Sequence, residues 1–171
     1  HYLPHLFVSD FEKVRLEAIA RAIALAGRIS ASDAVQALSG ERMGRFLHEV
    51  VRKEGSIQLI AVTNTEGHRI SQVHTQRGEK PLFRNLLNKD FRKHDWFVNV
   101  LKTGEPYYSD LFFSKYTGRL IMTAAVPIYA EKTVKKAAAT RGRRPAAGDK
   151  VQPVHNGRTL RAVIDIDFIF D

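Results

Sequence analysis

Cysteine is absent from the 171-residue chain, which excludes disulfides, thiolate nucleophiles and cysteine-ligated zinc or iron–sulfur centres. No apolar run approaches the roughly 18 residues that cross a bilayer as a helix. The glycines fall in GRLIM, TGEP and RGRRP, none with the Gly-x-x-x-x-Gly-Lys-Ser/Thr spacing that cradles phosphates. Gly-x-Ser-x-Gly is missing, and the seven histidines include no His-Glu-x-x-His pair. No nucleophile–base set and no metal spacing emerges, so the reading assigns no catalytic residue, no metal and no cofactor. No fixed-period repeat is present, which argues against solenoids and propellers.

The chain is strongly basic, with a formal charge of +9. That charge is uneven: between Ala130 and Arg158 eight Lys or Arg stand against Glu131 and Asp149, so this segment carries most of the excess. It has no aromatic residue before His155 to stack on a base, and its Ala, Gly, Pro and Lys content fits a solvated loop. Nucleic acid is therefore not an expected partner; anionic lipid is a further use for such a loop. The chain opens on HYLPHL without an initiator methionine, and the expectation is a piece of a longer protein.

The size predicts one domain over 1–171, with a helical part over 1–55 and a sheet over 56–171 that carries a basic insertion at about 130–158. Ser9 and Asp10 precede a helical pattern of Phe11, Val14, Leu16, Ile19, Ile23 and Leu25 or Ala26, with Gly27 as its end. A short helical piece follows at SASDAV. A helix capped by Ser39 then shows Met43, Phe46, Leu47 and Val50 on one face and stops at Gly55. Period-two runs predict a hairpin, SIQLIAVTN and HRISQVH around NTEG. NKDFRKHDWFVNVLKTG reads as one helix with Phe91, Trp96, Phe97, Val100 and Leu101 inward and Gly104 closing it. YYSDLFF and RLIMTAAVPIY form a second hairpin around SKYTG, and LRAVIDIDFIF is a fifth strand. This order describes an antiparallel α+β domain.

Two groups of residues carry candidate chemistry. Asp165 and Asp167 point the same way along the last strand, as an acid/base or metal pair, or else at a solvated edge or in hydrogen bonds to a neighbouring loop. Trp96 and Phe97 are adjacent on a helix and point apart; the indole either packs in the core or walls a ligand pocket. The hydrogen-bonding groups near it are Arg92, His94, Tyr107, Tyr108, Asp110, Thr123 and Asp167.

Taken in order, HDWF, TGEPYYSDLFFSKYTG, IMTAAVPI and AVIDIDF resemble the motif series of the extracytoplasmic Cache, or PDC, sensor domains of bacterial receptors. The resemblance implies a PAS-like fold: a five-stranded antiparallel sheet with a long N-terminal helix and short helices, of the single-Cache type. It further implies a small-molecule ligand on the sheet, a small carboxylate or an amine, held by Trp96, Phe97, His94, Arg92, Tyr107, Tyr108, Asp110, Thr123 and Asp167. Flanking membrane helices, an output module (a kinase, a chemotaxis module or a cyclic-dinucleotide enzyme), a homodimer and an extracytoplasmic location complete the picture. Asp167 matches the family's last-strand aspartate. The amino-acid-binding subfamily has arginine two residues before the tryptophan, where this chain has His94, and a neutral imidazole cannot act as a bidentate carboxylate clamp. Two other readings are a cytoplasmic Cache-like regulatory or dimerisation domain, and nucleic-acid binding through the basic loop.

Overall fold

The computed structural model describes residues 3–75, 90–115, 117–131 and 152–170. In chain order they form α1 (Leu3–Ser30), α2 (Asp33–Gln36), α3 (Gly40–Glu54), β1 (Ile57–Asn64), β2 (Arg69–His74), α4 (Asp95–Thr103), β3 (Tyr107–Tyr108), β4 (Phe112–Phe113), β5 (Leu120–Tyr129), β6 (Val154–His155) and β7 (Arg158–Phe170). The strands run antiparallel in the order β2-β1-β7-β5-β3, with β4 added along β5 and β6 folded back on β7. The α+β class and the antiparallel sheet are as the patterning implies. Most of the basic insertion, 132–151, lies outside the described residues.

Alternation along the strands divides the sheet into two faces. Ile60 and Val62 of β1, Met122, Ala124 and Ile128 of β5, and Ala162, Ile164, Ile166 and Phe168 of β7 face α1 and α3. Ala18, Ala22, Leu25 and Ile29 of α1 and Met43, Leu47 and Val51 of α3 close over them, and this layer is the main core. The opposite face receives α4, where Phe97 and Val100 pack on Ala125 and Val163. Residues 165 and 167, two and four places along from Val163, extend that second face past the end of the helix.

Several boundaries differ from the expected ones. The first helix begins at Leu3 rather than after Ser9 and Asp10, and it passes Gly27 to end at Ser30. Burial of Ile29 holds the last turn in the helix. Its buried stripe is built largely on alanines, which let the helix approach the sheet closely, so Leu16 and Ile23 are both 58% exposed. The fourth helix starts at Asp95, not at residue 88. Asp90 instead bridges His68 across the β1–β2 turn and Phe91 N–H donates to Gly67 O at 2.8 Å; backbone groups spent on the hairpin cannot also build a helical turn. YYSDLFF is two short strands rather than one. Gly55 and Gly104 end α3 and α4 in the left-handed conformation, as the two expected glycine stops require.

Candidate functional site

The second face of the sheet carries a cavity of about 580 Å³ between α4, β4 and the strands. Its floor is made by β7 and β5. Asp165 and Asp167 project from β7, and Thr123 stands directly opposite Asp167 in the β5–β7 register. The Thr123 hydroxyl donates to Asp167 Oδ1 at 2.7 Å. On the β1 side, Gln58 and Leu59 form the wall, with Ser114 and Lys115 beyond them. Thr117 donates from its hydroxyl to Gln58 Oε1 at 2.6 Å and so ties the β4–β5 turn to β1.

Arg69 enters from β2 and is 2% exposed. Its Nη2 donates to both oxygens of Asp165 at 2.9 Å, and Nη1 donates to Gln72 Oε1 at 3.0 Å. The guanidinium lies 3.9 Å from the Phe91 ring centroid and 5.8 Å from that of Trp96, a cation–π stack in a desolvated place. Phe91 reaches this position because residues 90–92 are pinned over the β1–β2 turn. Gly67 there has φ +87°, and a Cβ would fall 2.4 Å from Arg92 Cγ, so the crossing needs glycine.

The electrostatics follow from the burial. Burial pushes the Asp165 carboxyl upward from the ordinary carboxylate range, and the Arg69 guanidinium opposes that. Asp167 has no cation of its own among the described residues: burial first, then the neighbouring Asp165 charge, raise it from 3.8 to about 7, against the Thr123 hydrogen bond and the more distant Arg69. The floor thus holds a neutralised Arg69–Asp165 pair beside a carboxylate that takes up a proton near neutral pH.

Of the residues proposed from the sequence, Trp96, His94, Thr123 and Asp167 come together on this cavity. Phe97 does not line it; that ring is 1% exposed in the packing behind, edge-on to Trp96. Tyr107 belongs to the same packing. Arg92 is exposed and paired with Asp90 at 2.6 Å, Tyr108 packs on the opposite face of the sheet, and the Asp110 carboxylate is fully exposed. Asp165, expected at a solvated edge or in an acidic pair, is buried against Arg69. Arg69, Phe91 and Gln58 lay outside the sequence-based set. Arg69 alternates with Ile70, which packs on the main core, so the pattern of HRISQVH puts it on the polar side and carried no signal for its burial. Among the described residues no cluster of three His, Asp or Glu is disposed to hold a metal ion, and no helix is long and apolar enough to cross a membrane.

The carboxylate end of the cavity is also connected to the first helix. Thr123 N–H donates to Ser109 Oγ at 2.9 Å and Ser109 N–H donates to Thr123 O at 2.9 Å. Arg15 of α1 grips the carbonyls of that same segment, Nε to Ser109 O at 3.1 Å and Nη2 to Tyr108 O at 3.3 Å. Asp167, Thr123, Ser109 and Arg15 form one connected series across the sheet.

No family model matches the chain. A citrate (Re)-synthase of Syntrophus aciditrophicus (strain SB) is 28% identical over 128 residues, which are 74% of this chain and 20% of that enzyme. Among solved structures, the ligand-binding domain of an amino acid chemoreceptor of Pseudomonas aeruginosa PAO1, in complex with GABA, has a TM-score of 0.55 at 14% identity over 99% of this chain and 61% of its own. The ligand-binding domain of a Campylobacter jejuni chemoreceptor, in complex with 4-methylisoleucine, has a TM-score of 0.59 at 14% identity over 94% and 53%. A Bacillus subtilis protein with an EAL domain has 0.52 at 16% identity over 98% and 36%. The chain spans about a fifth of the matched enzyme and about half to three fifths of the two chemoreceptor domains. The likeness shows the fold: a helix-flanked antiparallel sheet of the kind found in chemoreceptor ligand-binding domains.

Proposed function

We propose that this domain is a single-Cache sensor module that binds a small molecule in the cavity beside Trp96 and passes its occupancy to an output domain in a larger signalling protein. The observation that carries the reading is the cavity's make-up. A sheet face that should be as apolar as its partner holds a buried ion pair, a half-buried carboxylate and an indole around an open volume of ligand size. Burying such groups costs stability even when they are paired, a cost that a binding role would account for.

Sensing requires only that the ligand favour one arrangement of helices and sheet over another. The series from Asp167 through Thr123 and Ser109 to Arg15 supplies a route. A ligand that recruits the Asp167 carboxylate redirects the Thr123 hydroxyl, and the backbone that Thr123 shares with Ser109 is the backbone Arg15 holds against α1. Exposed Leu16 and Ile23, seven residues apart on α1, offer a second copy a helix face for a homodimer. In the extracytoplasmic version of this reading, α1 and β7 continue into membrane-flanking segments, and catalysis belongs to a domain outside this chain.

The partial match to a much longer enzyme favours a second reading, a cytoplasmic regulatory domain of a multidomain enzyme, which would use the same cavity. The test of the cavity is a thermal-shift screen of small amines, carboxylates and amino acids on the wild type and on Trp96→Ala. A stabilising compound is expected to lose its effect on the folded variant. A folded Trp96→Ala that still binds it normally removes the cavity from the account.

A further inference from the structure

We infer that the turn between β4 and β5 docks the domain on an anionic phospholipid bilayer, with Phe112 and Phe113 entering the layer between headgroups and acyl chains. The direction of docking rests on the extracytoplasmic version of the reading above; the ligand of the cavity plays no part in it.

The sheet register places the elements. Phe113 pairs with Leu120, Leu120 pairs with Phe170, and Ile169 N–H donates to Ser56 O at 2.8 Å. The β4–β5 turn, the end of β7 and the approach to β1 therefore lie at one end of the sheet. Helix α1 leads to the same end. Arg15 bonds the carbonyl of Ser109, whose N–H donates to Thr123 O, and Gln36 Nε2 donates to both Ser30 O and Tyr129 O. So α1 runs alongside β5 in the same direction, and its residues before Arg15 lie toward Leu120. Segments that carry α1 and β7 to a membrane bring this turn to the lipid surface.

The turn has the chemistry of an interfacial anchor. Phe113 is 73% exposed and Phe112 43%. The other exposed large apolar side chains among the described residues, Leu16, Ile23, Val98 and Val154, are aliphatic and do not adjoin one another in sequence. Both rings are open because β4 is two residues long and pairs along one side, with β5. Buried Gln58 steadies the turn from behind, since its Oε1 accepts from Thr117 Oγ1 at 2.6 Å and its Nε2 donates to Ser114 Oγ at 3.4 Å. The rings thus stand on a braced hairpin, which lowers the cost of docking.

Charge fits the same partner. Residues 114–119, SKYTGR, contain two cations and no acid, and Lys115 is exposed. Asp110 lies 4.0 Å from Arg15 Nε, and Glu54, near Ser56, is held by Arg21 and Arg28. Aromatic rings beside Lys and Arg match a surface that is anionic outside and apolar just beneath. A stable protein partner needs a face of roughly 800 Å² on each side, and a lip one two-residue strand wide supplies far less.

Sedimentation of the full chain with vesicles tests this, using phosphatidylcholine alone and phosphatidylcholine with about 30% phosphatidylglycerol. Partitioning onto the anionic vesicles is expected to be at least about fivefold stronger than onto the neutral ones. Phe113→Ser should weaken it at least about tenfold with an unchanged unfolding midpoint, because the ring is exposed. Lys115→Gln should weaken it about fivefold on the anionic vesicles and leave the neutral ones unaffected. Val154→Ser, at the opposite end of the sheet, should change nothing. Absence of vesicle binding overturns the inference. So does binding that Phe113→Ser leaves intact, which assigns the lipid contact to the basic segment 130–158 instead. A wild-type dimer that Phe113→Ser turns into a monomer in analytical ultracentrifugation also overturns it, by making the lip a contact between copies. Each of these results leaves the cavity reading standing, since that reading is decided by the Trp96→Ala screen.

Discussion

The two faces of one sheet obey different rules. Toward α1 and α3, β7 presents Ala162, Ile164, Ile166 and Phe168, all at most 1% exposed, and helices cover them completely. Toward α4 the same strand presents Val163, Asp165 and Asp167, and the helix covers only the first. The dry face is what gives the domain its stability, at about 25 cal/mol per Å² of apolar surface removed from water. The polar face spends part of that on a buried ion pair and a carboxylate with no ion-pair partner among the described residues, groups that apolar side chains could replace at little loss of stability. Under the sensor reading proposed above, the difference marks where the sheet serves binding rather than folding.

The comparison can be broken most severely at Arg69. Asp165→Leu leaves a buried guanidinium without its counter-ion and should cost about 3–5 kcal/mol in urea unfolding, whereas Arg69→Met/Asp165→Leu should recover most of that loss. On the dry face Ile166→Ala should cost about 2–5 kcal/mol through the cavity it leaves, and no single partner change across the packing should recover it. Recovery on one face and not on the other would show that the ion pair, unlike the apolar packing, is replaceable without loss of stability.

Acidity sharpens the comparison further. The folded-state carboxyl of Asp167, at about 7, is raised above its unfolded value of 3.8, so the folded protein holds a proton that the unfolded chain has lost. The Asp167 contribution to stability is therefore full below about pH 4, falls as pH rises towards 7 with a slope of at most about 1.4 kcal/mol per pH unit, and is flat above. Asp165, Arg69, Asp90, His94 and Lys115 are the other ionisable groups lining that part of the face among the described residues. Comparing urea midpoints of wild type and Asp167→Asn across pH 4–8 isolates the effect, since the asparagine should remove the slope.

The smaller effects concern transmission and surface. Arg15→Met should leave ligand affinity nearly intact while hydrogen exchange in α1 stops responding to ligand; an unchanged α1 response would remove the Ser109 route. Arg52→Ala, which breaks an exposed pair with Glu49, should leave the unfolding midpoint unmoved.

Much of the fold was legible because strand alternation and glycine stops act locally. Met43 and Leu47 are spaced as a buried helix face must be, and Gly55 and Gly104 end helices where only glycine is comfortable. Helix α1 misled because its buried stripe is alanine, so the larger Leu16 and Ile23 drew the periodicity to the wrong side. The turn between β6 and β7 carried an overlooked local signal: Asn156 and Gly157, both with positive φ, are the residue pair that a tight hairpin turn favours. The site was half legible. Trp96, Thr123 and Asp167 follow from alternation and motif order, but Arg69 reaches Asp165 from 96 residues away. Such a pair depends on which strands are neighbours, and no spacing in the chain encodes it. The sequence reading found His94 where a guanidinium was expected; the structure supplies a guanidinium from another strand and occupies it.

The most direct measurement uses the chain's single tryptophan. Because Trp96 walls the cavity, its fluorescence reports on occupancy without a label. Titration with a compound that stabilises the domain should shift or quench the emission with the same midpoint as the stabilisation, and Asp167→Asn should abolish both. A stabilising compound that leaves Trp96 emission unchanged, or that binds Asp167→Asn as well as wild type, would place the ligand elsewhere and contradict the account.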